Sequence, residues 1–350
     1  MENDNKVQEF VKKYYGKILK SSSDLKTTAC CTTDAPPLYL RQALKNVPTE
    51  IQERYYGCGS PLPAEIEGLT VVDLGSGSGR DCYVSAALTG PTGQVIGVDM
   101  TDEQLEVARE HVESYCRDLG YPESNLQFRH GYIEFLNEAG IANNSIDLVI
   151  SNCVVNLSPD KERVMSGVVD ILKEGGEFYF SDVYCDRRLP EEVRQHELLY
   201  GECIAGALYT EDFIRLAHKA GFADPRVLSQ SPIEITDAEL KPIVGEAKFS
   251  SITYRLFKLP SLETLCEDYG QVATYTGGIS GQESGFLFDD HHYFIKNKPY
   301  LVCGNTASML EETRLGKYFT IHGKRDTHFG LFDCASPETA TLTPPGGACC

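Results

Sequence analysis

An open α/β fold on a mostly parallel sheet is what this 350-residue chain predicts, and three observations carry the prediction. From Gly68 onward, short apolar runs alternate with amphipathic stretches in βαβ order. A glycine-rich turn, Gly75-Ser76-Gly77-Ser78-Gly79, separates the first apolar run from the first helix of that series, and Asp99 closes the second run. Composition agrees: 41% hydrophobic and 24% charged residues fit a globular chain and exclude pervasive disorder.

The elements follow in order. Val7, Phe10, Val11, Tyr14, Tyr15, Ile18 and Leu19 repeat at helical spacing and predict an amphipathic helix that docks on a partner surface. Polar sequence from Ser21 to Thr33 ends at Pro36-Pro37. A second helical stretch, Leu38 to Tyr56, breaks at Pro48 and runs into Gly57-Cys58-Gly59. Strands are predicted at Thr70–Leu74, Gln94–Asp99, Leu126–His130, Asp147–Cys153 and Glu177–Asp182. Helices fit at Glu103–Leu119 and at Asp160–Lys173, the latter closed by Gly175-Gly176. A further helix spans Thr210–Ala220, and a late strand, Ser251–Lys258, suits an antiparallel edge. Between them, Tyr184 to Tyr209 interrupts the rhythm, carries Cys185 and Cys203, and reads as a substrate-site insertion. Beyond Pro260, Phe286 to Val302 suggests short strands around a hairpin.

Charge and targeting narrow the partners. The net charge is 32 minus 51, or −19, which opposes phosphate binding and argues against nucleic acid. No apolar run approaches a membrane span, since Ile146 to Leu157 is broken by Asp147, Ser151 and Asn152, and no membrane association is expected. The polar start, Met1 to Lys6, lacks a signal core, so a reducing cytoplasm is the expected compartment, and a monomer the expected state. Thirteen cysteines there point to metal-binding or catalytic thiols ahead of disulfide scaffolding. No CxxC pair exists and the histidines show no ligand spacing, so no resident metal site is expected.

The glycine turn speaks for a nucleotide-bearing cofactor. It follows a strand and opens a helix, and Asp99 stands 20 residues after Gly79, where a carboxylate can accept both ribose hydroxyls. Its GxGxG spacing departs from the GxGxxG suited to a pyrophosphate, and Asp73 just ahead of the loop would repel phosphate while suiting a sulfonium and an ammonium. The arrangement resembles the class I S-adenosylmethionine-dependent methyltransferases, as does Leu172 to Asp182. That resemblance implies a Rossmann-like sheet in which Asp73, Gly75, Gly77 and Gly79 hold the methionine end. Asp99 holds the ribose, Met100 packs on the base, and Ile133 and Glu134 in Gly131-Tyr132-Ile133-Glu134 contact adenine.

The cysteines then distinguish among substrates. Cys153 ends the predicted fourth strand, at the sheet edge where open α/β folds bind ligands. Cys203 lies in the insertion and could close over the same mouth. Cys58, between two glycines, can be carried there by the helical arm, and Cys30 sits further out on the polar linker. Cys82 and Cys116 read as buried structural thiols, while Cys266, Cys303 and Cys334 carry no assignment. Cys31, Cys349 and Cys350 read first as plain exposed thiols, with capture of a metal or metalloid from solution as the alternative.

On the segments Asp24 to Cys30, Arg54 to Gly59, Leu74 to Val84, His130 to Glu134, Ser151 to Val154 and Gly201 to Cys203, the chain is identified as a member of the arsenite methyltransferase family. The resemblance spans about residues 24 to 260 and is loose beyond. It implies Cys30, Cys58, Cys153 and Cys203 as the functional cysteines, with Cys58, Cys153 and Cys203 expected to hold arsenite and Cys153 with Cys203 to suffice for methylarsenite. Tyr56 and Asn152, in segments that carry the match, join the expected S-adenosylmethionine contacts. Trivalent arsenic is soft and thiophilic, so thiolates suit it. Cys30 and Cys58 are the expected transient disulfide, with glutathione or thioredoxin as reductant. The implied organisation is a helical arm (1–62), an S-adenosylmethionine-binding domain (63–198), an arsenic-binding domain (199–290) and a small C-terminal α+β module with a cysteine-ending tail (291–350). Two other readings compete: a methyltransferase acting on carbon, oxygen or nitrogen, and a thiol-rich metalloid-sequestering protein. The first leaves the sheet-edge cysteines without a purpose, and the second predicts arsenite binding without cofactor binding.

Overall fold

A computed structural model of the chain describes residues 2–18, 37–55, 57 and 61–333. Its centre is one sheet of β1 (Thr70–Leu74), β2 (Gln94–Asp99), β3 (Leu126–His130), β4 (Ile146–Asn152), β5 (Leu172–Cys185), β6 (Leu208–Tyr209), β7 (Arg226–Ile233) and β8 (Phe249–Phe257). The order is β3-β2-β1-β4-β5-β8-β7, with β6 paired to β5. Pairing is parallel from β3 through β5 and antiparallel for β5–β8 and β8–β7. This is the Rossmann-like class I methyltransferase arrangement, in which the strand order reverses between the parallel strands β1 and β4 and opens a crevice at their carboxyl ends.

Alternation along the strands supplies both faces. In β1, Val71 joins one buried cluster and Val72 and Leu74 the other. The described α-helices are, in chain order, α1 (Glu2–Lys13), α2 (Leu38–Leu44), α3 (Thr49–Glu53), α4 (Arg80–Thr89), α5 (Asp102–Glu110), α6 (Val112–Asp118), α7 (Lys161–Ile171), α8 (Glu191–Arg194), α9 (Glu197–Gly201), α10 (Thr210–Ala220), α11 (Lys241–Val244) and α12 (Gly304–Glu311), the last packed in the C-terminal layer. Asp160 caps α7 by accepting from the Arg163 N–H at 3.0 Å. None of the described helices is long and apolar enough to cross a membrane.

Several local expectations shift. The helix expected over 103–119 is two, divided at His111. Gly175-Gly176 do not close α7, which ends at Ile171; they lie within β5, where Gly175 takes a φ of 78° and the register against β4 slips. The late strand is antiparallel, yet it is not the edge, because β7 pairs on its outer side.

Beyond β8 a smaller layer is built from a three-stranded antiparallel sheet, β13 (Pro299–Val302), β10 (Gln271–Tyr275) and β14 (Phe319–His322). A hairpin of β11 (Gly285–Leu287) and β12 (Tyr293–Ile295) and the pair β9 (Glu267–Asp268) and β15 (Gly330–Leu331) complete it. Its core contains Phe257, Tyr275, Phe286, Phe288, Phe294 and Phe319. Position 291 falls inside the β11–β12 hairpin. Glu177 of β5 joins this layer to the main sheet: its carboxylate accepts from Arg255 Nε at 2.6 Å and from Arg314.

Candidate active site

The glycine turn does two separate jobs. Gly75, Gly77 and Gly79 all have positive φ, which a side chain would oppose. Gly75 and Gly77 line a cleft at the carboxyl ends of β1 and β4, whereas Gly79 does not. A Cβ on Gly79 would stand 2.5 Å from the Phe128 ring, so the third glycine lets α4 seat against β3. Asp99 ties the turn down: one carboxylate oxygen accepts the Gly77 N–H and the other the Thr101 N–H, each at 2.8 Å. Burial raises its pKa, and those two N–H groups oppose the rise. Asp73 accepts from the Cys82 thiol at 3.1 Å. Burial, then the neighbouring Asp81, pushes the Asp73 pKa well up, so a cation brought to the cleft would meet a carboxyl that gains by ionising. Burial and Asp73 likewise raise the Cys82 thiol, which stays a buried thiol.

Met100, Ile133, Glu134, Asn152 and Cys153 line the same cleft. Glu134 accepts from the Ser158 hydroxyl at 2.5 Å, and Asn152 donates to the Tyr55 hydroxyl at 2.6 Å and to Asp81 at 3.1 Å. Gly57 has no room for a Cβ, which would lie 2.5 Å from the Tyr55 hydroxyl and 2.6 Å from the Asn152 amide nitrogen. The expected contacts Tyr56, Cys58 and Cys30 lie outside the described residues, as do Cys31, Cys334, Cys349 and Cys350. Sequence reasoning passed over Gln8, Val11 and Tyr15 of the amino-terminal helix, and Tyr55, Asp81 and Gln104, all of which line the cleft. Asp81 had a signal, since it directly follows the turn and Arg80. The others come from segments whose local pattern speaks only of a helix.

The cleft fits a polar ligand. Among the described residues, Ser76 Oγ and Gln104 Oε1 are buried polar atoms without a hydrogen-bond partner, and both residues line it. Such atoms cost about 1 to 3 kcal/mol until something satisfies them. With Asp73, Asp81, Asp99 and Glu134 in its lining, the cleft suits a molecule that carries a cationic group and hydroxyl donors such as those of a ribose.

Cys153 and Cys203 meet at the mouth. Cys153 is the first residue past β4, and the Cys203 thiol donates to its carbonyl at 3.1 Å. Both are buried, and both have left-handed backbones, with φ of 54° and 62°. Non-glycine residues held there cost about 1 to 3 kcal/mol each, a strain that gathers at functional sites. The amino-terminal helix clamps the Cys203 segment through its π-helical extension, Tyr14–Ile18: Tyr15 OH donates to the Gly201 carbonyl and Tyr14 OH to Glu202, each at 2.8 Å. The insertion thus closes over the sheet edge. Cys153, expected as a thiolate, is disulfide-bonded in this state. Nearby, Lys161 donates to the Ser158 carbonyl at 2.9 Å; burial brings its pKa down to about 8, against the pull of Asp182, Cys203 and Glu134.

Sheet order, glycine turn and acid-flanked cleft define a class I methyltransferase, and residues 66–221 match the family model of a methyltransferase domain. The relatives are more specific. The arsenite methyltransferase of Aquipseudomonas alcaligenes is 52% identical over 93% of this chain and 94% of its own length. The human arsenite methyltransferase is 46% identical over 91% and 84%. The crystal structure of an arsenic(III) S-adenosylmethionine methyltransferase from Chlamydomonas reinhardtii superimposes with a TM-score of 0.83 at 60% identity, covering 85% of this chain and 100% of that one. This chain belongs to the arsenite methyltransferase family. Residues 269–345 match the model of the arsenite methyltransferase C-terminal domain, which corrects the expectation that the likeness loosens past residue 260.

Proposed function

We propose that this chain moves methyl groups from S-adenosylmethionine to trivalent arsenic held by thiolates at the mouth of the cleft. The observation that carries the reading is the contact of two strained, buried cysteines, Cys153 and Cys203, at the end of a cleft with acidic groups and unpartnered polar atoms. Asp73, Gly75 and Gly77 would hold the methionine end and Asp99 the ribose, with Met100, Ile133, Glu134, Asn152 and Tyr56 around the remainder; Gly79 acts by packing the turn. When bound, S-adenosylmethionine supplies an electrophilic methyl on a sulfonium. The chain's part is to hold arsenite on Cys58, Cys153 and Cys203, which leaves the arsenic lone pair as nucleophile and calls for no general base. Positioning and a desolvated, acidic surround supply the rate enhancement.

Methylation oxidises arsenic from the trivalent to the pentavalent state, so two electrons must return it. A thiol pair supplies them by becoming a disulfide, and Cys30 with Cys58 is the pair we assign. Glutathione or thioredoxin in the cytoplasm then restores the thiols. The disulfide at Cys153 fits the same need, because that sulfur must be reduced before it can bind arsenic. We assign arsenic binding to residues 199–290 together with the arm (1–62), cofactor binding to 63–198, and the C-terminal module (291–350) to support of a monomer.

The test is incubation of the pre-reduced protein with arsenite, S-adenosylmethionine and glutathione, followed by separation of arsenic species. Methylated arsenicals are expected. Arsenite binding with no cofactor binding in titration calorimetry would instead establish a sequestering protein.

A further inference from the structure

Cys203 holds a left-handed backbone, and the contacts that keep it there come from the amino-terminal helix. Strain of about 1 to 3 kcal/mol persists only where the surroundings over-determine the conformation. The two residues ahead of Cys203 are each fastened by a tyrosine of the π-helical turn Tyr14–Ile18. The Tyr14 hydroxyl donates to the buried Glu202 carboxylate and the Tyr15 hydroxyl to the Gly201 carbonyl, each at 2.8 Å. A Cβ on Gly201 would stand 2.8 Å from the Tyr14 ring, so the ring lies against the backbone there. The Tyr15 hydroxyl is also 3.9 Å from the Cys203 sulfur. The other end of Tyr15 is tied to the cleft, because its carbonyl accepts from Gln104 Nε2 at 2.8 Å. Gln104 lines the cleft and is 6% exposed, and its Oε1 has no partner among the described residues. We propose, on the reading of Cys203 as an arsenic ligand, that Tyr15 is a positioning residue for Cys203 and that Gln104 couples it to an occupied cleft, so that cofactor and arsenical bind cooperatively.

The chemistry of capture makes the clamp matter. When arsenic binds, an arsenic–sulfur bond forms as an arsenic–oxygen bond breaks, and the Cys203 proton leaves in the water released. The sulfur then no longer donates to the Cys153 carbonyl, the 3.1 Å hydrogen bond that places the thiol. Its placement falls to the segment that carries it, and Tyr14 and Tyr15 hold that segment. Gln104 brings in the cofactor. It lies in the first turn of α5, just past Thr101, whose N–H bonds Asp99. Gly16 presses the π-helical turn against the same place, where a Cβ would meet Thr101 Cγ2 at 3.1 Å. The donation to Tyr15 fixes which end of the Gln104 amide is oxygen, and that oxygen needs a donor such as a cofactor hydroxyl or amine. An amide that accepts at one end donates more strongly at the other, and a segment ordered by one ligand costs less to order for a second. A molecule that satisfies Gln104 thus steadies Tyr15 and, through it, Cys203.

The test uses the full-length reduced protein, arsenite and S-adenosylhomocysteine, which has no methyl to transfer. In titration calorimetry, S-adenosylhomocysteine should tighten arsenite binding by about fivefold or more, and arsenite should tighten S-adenosylhomocysteine by the same factor. Gln104→Leu and Tyr15→Phe should each abolish that factor. Tyr15→Phe keeps the ring and the carbonyl that Gln104 bonds, and melting curves by circular dichroism check that both variants are folded. In steady-state methylation Tyr15→Phe should raise the KM for arsenite and for methylarsenite about tenfold, the worth of one hydrogen bond. Its affinity for S-adenosylhomocysteine without arsenite should stay native, a split that a merely structural role would not produce. Native KM values for both arsenicals in Tyr15→Phe overturn the proposal, as does coupling of native size in both variants or none in the native protein. Equal weakening of arsenite and S-adenosylhomocysteine in Tyr15→Phe overturns it as well. Absence of methylated arsenic from the native protein would instead remove the methyl-transfer reading, whereas methylation by the native protein with any of those results removes this inference alone.

Discussion

Asp99 has two tasks, since the carboxylate that should accept ribose hydroxyls also fastens Gly77 and Thr101. Asp99→Ala should weaken S-adenosylmethionine binding by about 1 to 3 kcal/mol in titration calorimetry, because it removes charge-assisted hydrogen bonds and loosens the turn. Arsenite affinity should change little. Unchanged cofactor affinity would withdraw the role given to Asp99 and the glycine turn. Asp182 makes a prediction about pH. Burial raises its pKa from 3.8 to about 6, in spite of the N–H groups of Val183 and Asn156 that oppose the rise. The folded protein therefore holds this proton more tightly than the unfolded chain. The stabilisation is complete below about pH 4 and is lost as pH rises through 6. Urea unfolding of the native protein and Asp182→Asn at pH 4 and pH 7 should show their difference changing by up to about 3 kcal/mol in that direction. At this scale legibility follows chain distance. Asp99 could be found because a turn, a helix and a following strand form one local pattern, whereas Tyr55, Gln104 and Gln8 reach the cleft only through tertiary packing.

Glu177 fastens one element to another, and its removal should show it. Burial pushes this carboxyl up, but Arg255 and Arg314 outweigh it and hold the pKa below the usual range. Glu177→Ala leaves the buried Arg255 uncompensated and should cost about 3 to 5 kcal/mol in chemical unfolding. Separate transitions for the main sheet and the C-terminal layer are expected in the variant, since Arg314 belongs to the layer and Arg255 to β8. A single transition with unchanged midpoint would mean that the pair contributes nothing. Elements were legible in proportion to their burial on both faces. The central parallel strands are nearly continuous apolar runs. β7, Arg-Val-Leu-Ser-Gln-Ser-Pro-Ile, is an edge strand with mostly exposed or half-buried positions and a proline, so it has neither alternation nor an apolar run to reveal it. Gly175-Gly176 misled for the opposite reason: paired glycines after a helical pattern are a stop signal, and here they serve a strand irregularity instead.

The molecule as a whole gathers its cysteines from distant segments: Cys203 comes from the insertion and Cys153 from the end of β4, while the amino-terminal helix clamps the two residues that precede Cys203. That the helical arm docks was legible in its periodicity; that it docks over the cleft was not, because an amphipathic face does not name its partner. The assembly predicts how substrate valence separates the cysteines. Arsenite has three exchangeable positions, so stable capture calls for three thiolates, assigned to Cys58, Cys153 and Cys203. Methylarsenite has two, and Cys153 with Cys203 should suffice for it. Replacing either of these with serine should abolish methylation of both substrates, since a hard hydroxyl is a poor ligand for a soft metalloid. Cys30→Ser should abolish turnover of arsenite by removing the assigned disulfide partner, and Cys58→Ser by removing the third ligand as well, while both spare methylarsenite. Each of the four variants is assayed on each substrate with glutathione present, after reduction that opens the Cys153 disulfide. Near-native methylation of methylarsenite by Cys153→Ser would remove the proposed site. Loss of both activities in Cys58→Ser would end the valence argument and leave the site in place, because Cys58 would then be needed whatever the number of positions arsenic has to fill.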